Sequence, residues 1–151
     1  MRITEAMTGH VRTVPPTMSA ADACALMKTD KVHHLVVARA KVVVGVVSAR
    51  DLSPQGRRPT FPDGVTVEDL MSSPVVTIDS DETVRKAANL MRGRTIGCLP
   101  VTNKGNLVGI ITLSDLLQLL GKGADRPSHN ARAALFHRVP HKKQHMATGR
   151  W

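Results

Sequence analysis

The stretch Gly109-Ile110-Ile111-Thr112-Leu113-Ser114-Asp115-Leu116 decides the fold, because the chain carries a counterpart of it 64 residues earlier. That counterpart reads Gly45-Val46-Val47-Ser48-Ala49-Arg50-Asp51-Leu52. The same shift of 64 residues aligns 7–52 on 71–116 without a gap, and 12 of the 46 aligned pairs are identical. One register that holds through loops and regular elements alike indicates a tandem duplication of a supersecondary unit.

The duplicated unit is predicted to be α/β, with the element order β-α-β-β-α. In the second copy we expect a helical turn at 67–71, strands at 74–78, 99–102 and 107–112, and helices at 82–92 and 114–120. Ser80 or Asp81 is the expected N-cap of the longer helix, and Gly93 is its expected end. The first copy follows the same order, with a helix at 19–29 and a β-hairpin at 35–48.

Composition and charge divide the 151-residue chain further. We expect a first repeat at 1–53, a linker with several Pro and Gly residues at 54–66, a second repeat at 67–121 and a basic tail at 122–151. The tail carries seven Lys and Arg residues against one acidic residue, so it holds six of the nine net positive charges. The tail is expected to be flexible or partly helical. Because the two repeats are only mildly basic, nucleic-acid binding is predicted at most for the tail.

Composition also argues against several protein classes. Aromatic residues make up 2% of the chain, too few for a module that stacks single-stranded nucleic acid. The two cysteines, Cys24 and Cys98, form neither a disulfide framework nor a closely spaced pair of the kind that holds zinc. The N-terminus lacks the apolar segment of a signal peptide, and the longest apolar stretch, at 42–47, is far below the roughly 20 residues of a membrane span. We therefore expect a cytoplasmic protein without membrane contact.

The chemistry of the repeated stretch lies in its pattern Gly-h-h-Ser/Thr-x-x-Asp, where h is apolar. A hydroxyl and a carboxylate three residues apart at a strand-to-helix junction can face the same way, beside free backbone N–H groups. A carboxylate suits a ribose diol, and a hydroxyl with N–H groups suits a phosphate. The alternative interpretation is helix capping, since Ser/Thr-x-x-Asp is close to a capping box. The presence of two copies, each in a complete repeat, favours ligand binding.

Taken together, these features resemble a tandem pair of cystathionine-β-synthase (CBS) domains, the Bateman module. The resemblance covers about residues 1–121. It rests on the repeat order, the Met-Thr/Ser openings at 7–8 and 71–72, the Leu-Pro-Val strand at 99–101 and both Gly-h-h-Ser/Thr-x-x-Asp-Leu ends. It implies two clefts related by pseudo-twofold symmetry that bind an adenosyl ligand such as AMP, ADP, ATP, NAD or S-adenosylmethionine, with no obligatory cofactor. It also implies a homodimer with a regulatory role.

The resemblance assigns residues to the two clefts. In the family, each cleft joins the Ser/Thr-x-x-Asp of one repeat to the opening strand of the other. The first cleft would then use Ser48, Asp51, Val76 and Thr77, and the second would use Thr112, Asp115, Arg12 and Thr13. The aspartates would hold the ribose hydroxyls, and the strand backbone would meet the adenine edge. Aliphatic neighbours would sandwich the ring, namely Val11, Val47, Val75 and Ile111.

The two copies differ where phosphates would lie. His33, His34 and Arg50 of the first repeat align with the uncharged Gly97, Cys98 and Ser114 of the second. Because phosphate recognition needs positive charge or N–H donors, we expect a phosphorylated ligand to favour the cleft of Ser48 and Asp51. Two alternatives stay open. The histidines could be solvated or bonded to backbone, and Arg92 and Arg94 of the second repeat could compensate for its missing charges.

Neither catalysis nor metal binding is predicted. No Walker loop, GxSxG or HExxH pattern occurs. His137, His141 and His145 have helical spacing, but Pro140 interrupts them and no carboxylate or cysteine supports a metal site. The predicted function is a non-catalytic nucleotide-sensing module that acts on an effector protein or through its tail. The alternative is a structural dimerisation module with empty clefts, whose tail binds nucleic acid or an acidic partner.

Overall fold

A computed structural model describes residues 1–53 and 60–121, so the predicted tail at 122–151 lies outside the described residues. The strands are β1 Thr13–Val14, β2 His34–Arg39, β3 Val42–Ser48, β4 Ile78–Asp79, β5 Cys98–Asn103 and β6 Asn106–Thr112. The helices are α1 Ala20–Asp30, α2 Ala49–Leu52, α3 Val67–Leu70, α4 Val84–Arg94 and α5 Leu113–Gly121, and a 3-10 turn covers Ile3–Glu5. None of these helices is long and apolar enough to cross a membrane.

The strands form two three-stranded sheets with the same topology, ordered β1-β2-β3 and β4-β5-β6. In each sheet the short first strand pairs parallel with the second, which forms an antiparallel hairpin with the third. The hairpin turns have left-handed backbone at Ala40 and Lys41 in the first sheet and at Lys104 and Gly105 in the second. The mixed α/β fold is therefore the predicted one, built twice in the same order.

The boundaries of α4 differ from the prediction. Thr83 is the N-cap, and its side chain accepts a hydrogen bond from the Lys86 N–H at 3.2 Å. The predicted caps are wrong because Ser80 N–H donates to the Thr102 carbonyl beside the sheet and Asp81 N–H donates to the Asp79 side chain. These bonds hold both residues in the turn before the helix.

The predicted end of α4 at Gly93 is also wrong. The helix continues to Arg94 and ends at Thr95, which has left-handed backbone with φ of 54°. Helix α1 ends in the same way at Lys31, 64 residues earlier, with φ of 54°. Gly93 is exposed, and a glycine inside a helix costs only about 1 kcal/mol relative to alanine, so the helix passes through it.

The predicted strand at 74–78 is largely absent. Only Ile78 and Asp79 pair with β5, opposite Val101 and Thr102. The residues before them are not strand-paired, so Val75 and Val76 are available for other contacts.

Each repeat packs the opening segment of the other into its core. Val67, from α3, lies fully buried among first-repeat residues such as Leu35 and Val47. Ile3, from the N-terminal turn, lies fully buried in the core of the second repeat. Phe61 and Val65, from the predicted linker, also pack against the first core.

Backbone pairing and a third apolar cluster join the two repeats. Ser72 exchanges hydrogen bonds with Val46 of β3, and Thr8 exchanges them with Ile110 of β6, at N···O distances of 2.8–3.3 Å. The third cluster contains Val36, Val46, Cys98 and Ile110, which come from both sheets. The two sheets are thus packed together by apolar contacts as well as by the exchanged segments.

Candidate ligand-binding cleft

The repeated Ser/Thr-x-x-Asp motif forms a helix-capping box in both repeats. In the first, Asp51 Oδ2 accepts hydrogen bonds from Ser48 N and Ser48 Oγ, each at 2.7 Å, and Ser48 Oγ accepts one from Asp51 N at 3.2 Å. Thr112 and Asp115 make the same three bonds at 2.8, 2.8 and 3.2 Å. Within the described residues no hydrogen bond reaches Oδ1 of either aspartate. Capping therefore fixes each carboxylate and leaves one oxygen for another partner.

A third capping box shows that this motif alone does not mark a ligand site. Thr66 N and Thr66 Oγ1 donate to Asp69 Oδ2 at 2.8 and 3.0 Å, and these bonds lower the pKa of Asp69. Asp69 is exposed, and it lies in the single turn of α3, outside the lining of the cleft described below. What distinguishes Asp51 is therefore its surroundings rather than its cap.

Those surroundings are a cleft of about 910 Å³ between the two repeats. Its first-repeat wall holds the motif and the residues near the start of β2, namely His33, His34, Val46, Ser48, Ala49, Arg50 and Asp51. Its second-repeat wall contains Ser72, Val75 and Val76, part of α4 and the start of β5, and the junction of β6 with α5. A volume of this size lies within the roughly 300–1,000 Å³ of small-molecule sites.

The predicted site residues divide into two sets. Ser48, Arg50, Asp51, His33, His34 and Val76 line this cleft, and Thr112, predicted for the second cleft, lines it too. Thr77, Arg12, Thr13 and Asp115 are not among its lining residues. Arg12 instead forms an ion pair with Asp30 at 2.6 Å, which raises the pKa of Arg12. Thr13 lies in β1 and is paired with Val36 of β2.

Two of the four aliphatic residues expected to sandwich an adenine ring do not line the cleft. Val47 and Ile111 are fully buried in the separate cores of the two repeats. Val46 lines the cleft, together with the predicted Val75. Successive side chains of a strand point to opposite faces, so the residue two before Ser48 shares its side of β3. That alternation was the sequence signal for Val46.

Helix α4 supplies a wall of the cleft that the sequence interpretation did not assign. Its lining residues are Ala88, Met91 and Arg92, followed by Thr95 and Ile96 just after the helix. The helical spacing places Ala88 and Met91 on one apolar face of α4. It does not predict which residues of that face line a cleft and which pack in the core.

The pKa values of His34 and Cys98, two residues that line the cleft, are shifted in opposite directions. Burial lowers the pKa of His34, and the charge of His33 adds to this, while Asp51 and Asp115 partly oppose it. His34 Nε2 lies 3.8 Å from the position that a Cβ on Gly97 would occupy, so the His34 side chain comes close to the second repeat here. Burial raises the pKa of the Cys98 thiol to about 12, which keeps it protonated and unreactive at neutral pH.

No metal site is found in the part of the chain that the structure describes, where no three His, Cys, Asp or Glu side chains group suitably. His137, His141 and His145 lie outside the described residues.

The lowered pKa of His34 gives a testable pH dependence. Because unfolded histidine titrates near 6.5, the unfolded chain binds more protons than the folded one as the pH falls below about 6.5, so stability falls too. The loss of melting temperature between pH 7.5 and pH 5.5 should be smaller for His34→Gln than for the unchanged protein. The exposed His10 provides the control variant His10→Gln. An equal loss in all three proteins would contradict the assignment to His34.

Comparison with known proteins agrees with this architecture. The family model described as CBS domain matches residues 3–53 and 67–122. The CBS domain-containing protein YhcV of Bacillus subtilis is 34% identical over 119 residues, covering 76% of this chain and 81% of YhcV. The protein MK0525 of Methanopyrus kandleri is 34% identical over 115 residues, which cover 72% of this chain and only 57% of MK0525. The chain thus spans little more than half the length of this second relative.

Solved structures share the fold. The CBS domain pair of MJ0100, in complex with 5′-methylthioadenosine and S-adenosyl-L-methionine, superposes with a TM-score of 0.73 at 22% identity, over 82% of this chain and 98% of that one. CBSX2 in complex with AMP superposes with a TM-score of 0.68 at 26% identity, over 80% and 97% of the two chains. Since the family model matches both repeats and the fold agrees, this chain belongs to the CBS domain family and carries two of these domains in tandem.

Proposed function

We propose that the chain is a non-catalytic, cytoplasmic regulatory module that binds an adenosyl ligand between its repeats and signals the bound state to an effector protein. One observation carries the proposal. The Ser48–Asp51 capping box presents a carboxylate at the wall of a 910 Å³ cleft, with apolar Val75 and Val76 contributed by the other repeat. A polar group for a ribose diol and an apolar surface for a base thus lie in one cavity.

Each part of an adenosyl ligand has a chemically suitable wall. Asp51 would accept hydrogen bonds from the ribose hydroxyls, and Val46, Val75 and Val76 would contact the adenine ring. His33, His34 and Arg50 provide the donors that a phosphate requires. The adenosyl ligands named in the structures of MJ0100 and CBSX2 support this ligand class without choosing among its members.

A second, pseudo-symmetric site is proposed around Thr112 and Asp115, with Arg12 and Thr13 from the first repeat. Oδ1 of Asp115, which accepts no hydrogen bond from the residues that the structure describes, supports it, since Thr112 bonds this carboxylate as Ser48 bonds that of Asp51. Arg12 is bonded to Asp30, so reaching a ligand would require it to exchange that partner. We therefore propose that the Ser48–Asp51 cleft is the stronger site for phosphorylated ligands.

Thermal denaturation and calorimetry with AMP, ADP, ATP, NAD and S-adenosylmethionine test the proposal directly. A ligand that binds only the folded state stabilises it by about 2.7 kcal/mol at 100 times its Kd. We expect at least one adenosyl ligand to raise the melting temperature, whereas cytidine, as a control, should not. No shift with any of the five would refute the sensor function and favour the structural dimerisation module.

We propose further that the module is a homodimer that uses α5. Leu113, Leu117 and Leu120 follow at helical spacing and are 50%, 59% and 77% exposed. A stripe of exposed leucines along one face of a helix is typical of an interface. We expect Leu117→Lys to convert a dimer into a monomer in light scattering at micromolar concentration. Val42→Lys, at a 64% exposed valine in the β2–β3 hairpin, should leave the mass unchanged, and an unchanged mass for Leu117→Lys would refute the interface.

A further inference from the structure

We infer that Arg92 of the second repeat completes a phosphate site begun by Arg50 of the first, and that the cleft therefore prefers a nucleoside di- or triphosphate to a monophosphate. This inference rests on the proposed function, because it concerns the ligand of the same cleft. The two arginines come from different walls: Arg50 from α2, and Arg92 from the last turn of α4.

Both guanidinium groups are available. The ion pairs found among the described residues are Arg12–Asp30, Arg39–Glu68 and Lys86–Glu82, and none involves Arg50 or Arg92. Both arginines are exposed at the cleft, where the one lining carboxylate among the described residues is that of Asp51. That carboxylate already accepts two hydrogen bonds from Ser48. The cleft thus carries an excess of positive charge that a polyanionic ligand would neutralise.

The position of the two arginines suggests an order for the phosphates. Arg50 is the chain neighbour of Asp51, so it is close to the group proposed to hold the ribose and can meet the first phosphate. Arg92 belongs to the opposite repeat, so it reaches the cleft from another wall and can meet a second phosphate. Because a guanidinium binds one phosphate through two parallel N–H bonds, two guanidiniums on different walls match two phosphates better than one.

A simpler explanation of Arg92 is that it only interacts with the negative end of the α4 dipole. Arg94 tests this explanation because it lies in the same last turn, is also exposed and does not line the cleft. Arg94→Ala is therefore the matched control for Arg92→Ala.

The experiment is a calorimetric titration of the full chain with adenosine, AMP, ADP and ATP, in EDTA so that no divalent cation masks the phosphates. Since hydrogen bonds to charged groups are strong, we expect ADP and ATP to bind about tenfold more tightly than AMP. Arg92→Ala should remove that preference and leave AMP binding nearly unchanged. Arg50→Ala should weaken all three nucleotides but not adenosine, and Arg94→Ala should change nothing.

Three results would overturn the inference: ADP binding no tighter than AMP, Arg92→Ala weakening AMP as much as ADP, or Arg94→Ala acting like Arg92→Ala. In each of these cases, adenosine or AMP binding that is lost in Asp51→Ala would still uphold the proposed function. Failure of all four ligands to bind would overturn the inference and count against the proposed function as well. Arg92→Gln, with its melting temperature checked, replaces Arg92→Ala if the alanine variant does not fold.

Discussion

Asp51→Ala is expected to weaken binding of the adenosyl ligand by about 1.5–3 kcal/mol, roughly tenfold to 150-fold in Kd, because it removes a charged hydrogen-bond acceptor for the ribose. It also removes a capping box, which costs about 1 kcal/mol of stability. Asp69→Ala removes an equivalent box at α3 without touching the cleft. The two variants should therefore lose similar amounts of stability, while only Asp51→Ala loses affinity.

Calorimetry with the tightest ligand of the panel measures the affinity, and thermal denaturation without ligand measures the stability. Asp115→Ala, the corresponding change in the second repeat, reports on the second proposed site in the same titration. If Asp51→Ala and Asp69→Ala bind ligand equally well, the Ser48–Asp51 pair serves only as a helix cap, which is the alternative interpretation of the motif.

How far the sequence determines the cleft can be judged from individual residues. The 64-residue register predicts both β-hairpins, because hairpin turns and apolar strands are local signals, but it begins the short strand β4 too early. It also brings Ser48 and Val76 to the same cleft once the family resemblance is accepted. It misplaces Val47, since choosing between Val46 and Val47 requires knowing which face of β3 covers the repeat core.

The helix boundaries and exchanged segments were harder to predict for different physical reasons. Ser80, Asp81 and Thr83 are all acceptable N-caps by residue type, and the bond from Ser80 N to Thr102 O, across 22 residues, decides among them. Ile3 and Val67 lie in short helical turns, and each is buried in the core of the other repeat. A local pattern contains no information on such long-range packing, so each segment was assigned to the repeat that follows it in the chain.

Gly45→Ala is expected to destabilise the fold, because Gly45 lies where β3 of the first repeat contacts Met71 and Ser72 of the second. A Cβ at this position would lie 2.5 Å from Met71 Sδ and 3.0 Å from the backbone oxygen of Ser72, and Ser72 cannot move without disturbing its pairing with Val46. Overpacking of this kind costs about 1–3 kcal/mol, which corresponds to roughly 4 °C per kcal/mol in melting temperature for a domain of this size.

Gly93→Ala is the matched glycine substitution, and its expected effect has the opposite sign. Nothing lies within 4 Å of a Cβ built on Gly93, which is an exposed position inside α4. Alanine should therefore raise the free energy of unfolding by about 0.5–1 kcal/mol through helix propensity. Chemical denaturation of the two variants beside the unchanged protein measures both effects. Equal stabilities for Gly45→Ala and Gly93→Ala would mean that Met71 and Ser72 do not pack closely enough against β3 to require glycine. The contact between the two repeats at this position would then be looser than described above.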